Sequence, residues 1–206
     1  MPGPLAIGVI ALALWAVAGL AAQLVAARGW GQRTAYAVPA GRPRSGILYM
    51  LGPGMSPTAK ESARLHFGTW LAGVGYHAGI AGGFAALLLV LARVELSGAA
   101  LRAVQAMLAA GLAGGVFLLV KRIARPPMRR LSHPDDYIAN GLTTGFVALA
   151  FARTLCPAAE VPWLGLAMLL FLYVPIGKIR HCFFFFATRI HAGTFFGRRG
   201  VLPPHA

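Results

Sequence analysis

The sequence predicts an all-α integral membrane bundle of about five transmembrane helices, and three observations carry that expectation. The chain has 206 residues, 58% of them hydrophobic and only 12% charged, with a mean hydropathy of +0.68. That is too little polar surface to enclose a soluble globule, so the bilayer has to be the solvent. Five windows, residues 5–27, 67–91, 101–120, 137–151 and 161–186, are apolar over about the 20 residues that a helix needs to satisfy its backbone inside lipid. Finally, 16 of the 19 Lys and Arg residues fall in the first and third connections and the C-terminal end. The other side holds Arg93, Arg102 and Arg153.

Each window has its own reading. The first is N-terminal and Ala-rich, but no Lys or Arg precedes it and its apolar run is too long for a signal peptide, so it is expected to stay in the mature chain. The basic connection after it holds Arg28, Arg33, Arg42, Arg44, Lys60 and Arg64. The second window is thinned by Gly73, Gly75, Gly79, Gly82 and Gly83. The fourth, YIANGLTTGFVALAF, carries Asn140, Thr143 and Thr144 and is expected to turn them toward the bundle. The positive-inside bias then places the N-terminus outside and the C-terminus in the cytoplasm, in an inner (cytoplasmic) membrane. One transmembrane domain covers 1–206, with no internal repeat. A net charge of +14 sorted by membrane side implies no nucleic-acid partner. Cys156 and Cys182 fall at different levels, so no disulfide is expected between them, and two cysteines are too few for an iron–sulfur cluster.

Polar groups inside a bilayer are costly and mark function. His77 lies in the second window and His181 in the fifth, and because these run in opposite directions both histidines reach a similar depth in the cytoplasmic half. Neutral imidazoles on facing helices are what a haem iron takes as axial ligands. A flat macrocycle also needs room: Gly73 stands four residues before His77, and Gly177 four before His181, each one helical turn away on the same face. The bland alternative is close helix packing with hydrogen-bonded histidines. Two histidines with the same Gly-x-x-x-His arrangement favour haem ligation over it.

With those residues in view, the chain resembles the gamma subunit of respiratory nitrate reductase and the cytochrome b subunits of sulfite-reductase-linked and heterodisulfide-reductase-like membrane complexes. The resemblance rests on YHAGI in the second window, RLSHPDDY opening the fourth, and FLYVPIGKIRH followed by FFFFATRIHAGTFFGRRG in the fifth, with Pro175 six residues before His181. It implies two stacked haems between the second and fifth helices, quinol oxidised near the outer one and electrons leaving through the inner one. The inner pair matches His77 and His181. The outer pair is absent, because its positions are Leu87 and Trp163, so one haem b is expected.

A second haem has one alternative pair, His66 and His191. His66 precedes His77 by 11 residues, which on a continuous helix is about 16.5 Å of rise and about 20° of rotation. His191 follows His181 by ten, about 80° off its face. Lys60, Arg64, Lys178 and Arg180 lie near the same level, where they could pair with haem propionates or simply anchor helix ends. The segment 132–137 reads first as a helix cap with Pro134 and acidic residues in the first turn. Its functional alternative is a quinone pocket at the cytoplasmic face, with quinone as the substrate, where His133, Asp135 or Tyr137 would accept protons and Tyr76, next to His77, would contribute.

These expectations combine into a membrane cytochrome b subunit of the respiratory chain, part of a hetero-oligomeric oxidoreductase complex. It would carry electrons between the quinone pool and a cytoplasmic iron–sulfur subunit docked on the basic loops and the FFGRRG tail. The competing class is a non-redox transporter or a structural anchor subunit. Transporters often show inverted repeats and broken helices, and the sequence suggests neither.

Overall fold

The computed structural model describes residues 3–29, 36–59 and 61–204, and among them there is helix but no strand. Helix α1 spans Pro4–Gly29, an uncharged run until Arg28 near its end. Short helices α2 (Pro43–Leu51) and α3 (Glu61–Leu65) precede α4 (Phe67–Leu91). Next come α5 (Gly98–Ala124), α6 (Pro126–Arg130) and α7 (Pro134–Leu155). Finally α8 (Glu160–Tyr173) and α9 (His181–Arg198) close the chain. The chain is a multi-pass membrane protein: α1, α4, α5 and α7 are each long and apolar enough to cross a bilayer, and α8 with α9 makes a fifth, broken span or a re-entrant segment.

Prolines set the boundaries. A proline pushes the residue before it out of the helical region, and Arg125 (φ −93°, ψ 113°) before Pro126, His133 (φ −96°, ψ 154°) before Pro134, and Cys156 (φ −142°, ψ 114°) before Pro157 each mark a helix limit. Cys156 and Cys182 both carry free thiols.

The fifth window corrects the sequence reading. Residues 161–186 are not one helix: α8 stops at Tyr173, a turn follows, a single 3-10 turn covers Lys178–Arg180, and α9 starts at His181. Pro175 has no amide to continue the ladder. The amides of Ile176 and Gly177 instead both donate to the Tyr173 carbonyl, at 3.0 and 2.9 Å. A broken helix, which the sequence had not suggested, is therefore present.

By internal contacts the chain resolves into two compact units. The first comprises Met1–Ala18 and Gly68–Ile179. In it α4 and α5 cross where Gly79 meets Gly111, so close that a Cβ on Gly79 would overlap the Gly111 backbone. Small residues let lipid-embedded helices approach in this way. Phe146 and Trp163, both without solvent exposure, join α7 to α8 with ring centroids 5.9 Å apart. Gly83 admits the Phe146 ring, whose edge would lie 2.8 Å from an added Cβ.

The second unit comprises Gly19–Phe67 and Arg180–Ala206. Its centre is the α2–α9 contact. Gly46, Gly193 and Gly197 bring the two backbones together: a Cβ on Gly46 would lie 2.6 Å from the Gly197 Cα, and one on Gly193 2.6 Å from the Ile47 Cα. The amides of Ala40 and Gly41 donate to the Arg198 carbonyl at 2.9 and 3.0 Å, fixing the chain that leads into α2 against the end of α9.

Candidate functional site

Tyr76 and His77 are consecutive on α4 and point to different surroundings. Tyr76 is buried, and His77 is exposed on the surface of its own unit. The Nδ1 of His77 lies 2.7 Å from the Gly73 carbonyl oxygen. A carbonyl only accepts, so Nδ1 carries the proton, and in the neutral ring Nε2 keeps its lone pair. Ligating histidines are oriented in this way, with the second nitrogen anchored to a backbone carbonyl or carboxylate. A Cβ on Gly73 would meet nothing within 4 Å. Beside His77, then, the backbone sets the tautomer and the position one turn earlier is open.

His181 differs. It is the first residue of α9, exposed, with Arg180 as the capping position before it. Gly177 belongs to the break before that helix, and the Tyr173 ring occupies the space where its side chain would be. The expectation that Gly177 opens a flat space one turn from His181 on a shared helical face is thus corrected: Pro175 ends the helix that this spacing assumed. His77 lies in the first unit and His181 in the second.

The alternative pair falls in the second unit. His66 occupies the turn between α3 and α4, outside either helix, so the helical rise and rotation computed from it to His77 lose their framework. His191 is on the regular α9, as the 80° offset from His181 requires. Both are exposed. Arg64 lies in the last turn of α3 and Arg180 precedes α9, each exposed. Lys60 lies outside the described residues. Among the described residues no group of three or more His, Cys, Asp or Glu gathers to hold a metal ion, which is a different demand from an axial pair.

Three of the quinone candidates, Tyr76, His133 and Asp135, have structural work. The Tyr76 hydroxyl contacts the Thr143 hydroxyl, lies 3.0 Å from that of Thr144 and donates toward the Asn140 carbonyl at 3.2 Å. This network turns Thr143 and Thr144 inward, as expected for the fourth window. His133 caps α7: its Nδ1 accepts from the Asp135 amide at 3.4 Å, while its own amide donates to Asp136 Oδ2 at 2.8 Å. Such reciprocal capping is the bland reading of the segment. Asp135 Oδ2 accepts from the Lys178 amide at 3.0 Å, and its carbonyl accepts from the Tyr173 hydroxyl at 3.4 Å.

Sequence reasoning missed the residue at the centre of this cluster. Asp136 pairs with Lys178 Nζ at 2.7 Å and with Arg122 Nη1 at 3.6 Å. Arg122 also donates to Ser132 Oγ at 2.9 Å. Lys178 is thereby committed to α7 and is not held for a propionate. A carboxylate and a cation 42 positions apart give no local signal, and only the break at Pro175 brings them together. Leu87 (2% exposed) and Trp163 (0%), which stand where the resemblance would put the outer ligands, are packed core.

Comparison with protein-family models, with curated proteins and with solved structures gave no match to this chain.

Proposed function

We propose that the chain is a membrane cytochrome b subunit that passes electrons between the quinone pool and a cytoplasmic iron–sulfur partner, with one haem b held by His77 and His181. The observation that carries this reading is the exposed imidazole of His77, whose Nδ1–H is tied to the carbonyl of Gly73, a position where an added Cβ would meet nothing within 4 Å. When bound, haem b supplies a one-electron iron couple. His77 contributes an oriented nitrogen donor, and Gly73 contributes clearance beside it. Arg64 and Arg180 are cations available to propionates, and His66 and His191 remain the alternative ligands if a second haem is present. Leu87 and Trp163 fill their positions with apolar bulk, which supports one haem and a quinone site in the cytoplasmic half. Within that half His133 and Asp135 are the proton acceptors nearest the head of α7. The orientation proposed is N-terminus outside and C-terminus cytoplasmic, in the inner membrane, with the subunit assembled into a larger oxidoreductase.

The test is a reduced-minus-oxidised visible spectrum of the purified chain and of His77→Ala and His181→Ala. Low-spin bands from one haem per chain, lost in each variant, are expected. An unaltered low-spin spectrum in either variant refutes the assignment.

A second reading, a non-redox transporter, is favoured by one observation: the break in the fifth span, held by Asp135, Asp136, Lys178 and Arg122. Broken helices with polar anchors line transport sites. The same spectrum separates the two, since a transporter has no visible haem bands.

A further inference from the structure

The connection between α5 and α7 gathers cations that the fold does not use. Lys121 donates to the Thr69 hydroxyl, and Arg122 is shared between Ser132 and Asp136, which also takes Lys178 Nζ. Arg125, Arg129 and Arg130 are different. All three are exposed, and among the described residues their guanidiniums have no hydrogen bond, ion pair or ring contact within the protein. The Arg129 amide donates to the Arg125 carbonyl at 3.0 Å, which closes one helical turn and sets these two residues a turn apart. Pro126 and Pro127 open α6, and prolines have no amide to offer. An anion at this segment is therefore held by side chains, and a guanidinium fork matches the oxygens of a phosphodiester.

The position of the segment decides what lies against it. It occupies residues 125–133 between Ala124 at the end of α5 and Pro134 at the start of α7, and both of those helices are long and apolar enough to cross a bilayer. Five of its residues are spent on α6, which advances only about 1.5 Å per residue. So short a connection stays within the headgroup layer, which is roughly 5–8 Å deep on each side of the hydrocarbon. Leu131, next to Arg130, is 88% exposed, and Ile123 just before the segment is 50% exposed. Three unpaired guanidiniums flanked by bare leucine and isoleucine ask for surroundings that are anionic and apolar at once. The boundary of a bilayer that contains anionic lipid is both, whereas an acidic protein surface in water supplies only the charge.

We propose that the segment around α6 is an anionic phospholipid site, in which Arg125, Arg129 and Arg130 hold the headgroup phosphate while Leu131 and Ile123 enter the upper acyl region. The site does not depend on the redox reading, and it leaves the first connection and the FFGRRG tail to the proposed protein partner.

The test uses the full chain in phosphatidylcholine bilayers that contain a minor share of spin-labelled lipid. The fraction of label immobilised against the protein is compared for phosphatidylglycerol and phosphatidylcholine carrying the same acyl label. The unsubstituted chain is expected to prefer phosphatidylglycerol, by at most roughly fivefold for each arginine, and the preference should shrink as salt screens it. Arg125→Gln, Arg129→Gln and Arg130→Gln together should abolish the preference. A control with Arg28→Gln, Arg42→Gln and Arg44→Gln removes the same charge from the first connection and should keep it. Should the first triple variant fail to fold, Arg129→Gln alone gives the comparison with a smaller fall. A preference that survives in the α6 variant, or that falls equally in both triple variants, overturns the proposal, the latter because only the net charge would then matter. No phosphatidylglycerol preference in the unsubstituted chain also overturns it and leaves the patch to an acidic protein.

Discussion

Replacing Gly73 by leucine separates a haem face from a packing face, because the two readings predict opposite results. If the glycine is there for close helix packing, a side chain must collide with a neighbour. The structure has nothing within 4 Å of a Cβ at this position, in contrast to Gly79 and Gly111 on the α4–α5 crossing. The fold should therefore accept leucine, and removing a glycine from a helix interior is worth up to about 1 kcal/mol in its favour. Cβ atoms four residues apart on a helix are separated by about 5–6 Å, so the new side chain stands beside the His77 imidazole and over the space a macrocycle needs. The expected result is a variant at least as stable as the parent that has lost most of its haem, with Gly73→Ala intermediate. Haem per chain by pyridine haemochrome, set beside unfolding in denaturing detergent, measures both quantities. A leucine variant with full haem content would show that this face of α4 does not meet the cofactor. One that unfolds would show that the space beside Gly73 is filled in the assembled membrane protein.

Two further substitutions test the polar groups that the structure explains. Tyr76→Phe deletes a hydroxyl shared among Thr143, Thr144 and Asn140, but Thr143 keeps its bond to the Ala139 carbonyl (2.7 Å) and Thr144 its bond to Asn140 Oδ1 (3.1 Å). With its partners still satisfied, the loss should be near the single-bond value of about 0.6 kcal/mol found between membrane helices. Quinol-driven reduction should be unchanged, and a large drop in reduction at normal stability would restore Tyr76 as a quinone ligand. Asp136→Asn weakens both the α7 cap and the pairing with Lys178, together worth about 1–2 kcal/mol. Limited proteolysis near residues 174–180 should accelerate, and an unchanged cleavage rate would mean that the break is held without this carboxylate.

The spans were legible because lipid leaves helices few options: the four unbroken windows all appear, 67–91 with its bounds unchanged and the other three each extended by a few residues. The fifth was misread because hydropathy does not register what Pro175 does to a backbone. FLYVP reads as apolar whether or not the helix continues. The error carried into the site. Gly177 and His181 are four apart in sequence, but that spacing means a shared face only on an unbroken helix. By contrast Gly73 and His77 sit inside a regular α4, and there residues four apart do share a face. The α2–α9 contact was invisible for another reason. Residues 43–51 are too short to register as a span, and the glycines that make the contact, Gly46, Gly193 and Gly197, acquire meaning only once their helices are known to cross.

The polar side chains of the spans differ in whether the protein itself accounts for them. Thr143, Thr144, Asn140 and Tyr76 satisfy one another, and Asn140 Nδ2 also reaches the Gly115 carbonyl at 3.4 Å. Lys121 donates to the Thr69 hydroxyl at the end of α5. Arg122, Asp136 and Lys178 neutralise one another beside the break. Each of these groups would be present in a bundle with no cofactor at all, because an unsatisfied polar group in hydrocarbon is costly. His77 is arranged differently. One nitrogen is anchored to its own helix, and in the neutral ring the other keeps its lone pair. A nitrogen lone pair without a partner in hydrocarbon would carry a cost. The proposed iron porphyrin would supply a partner for that nitrogen beside the open position at Gly73.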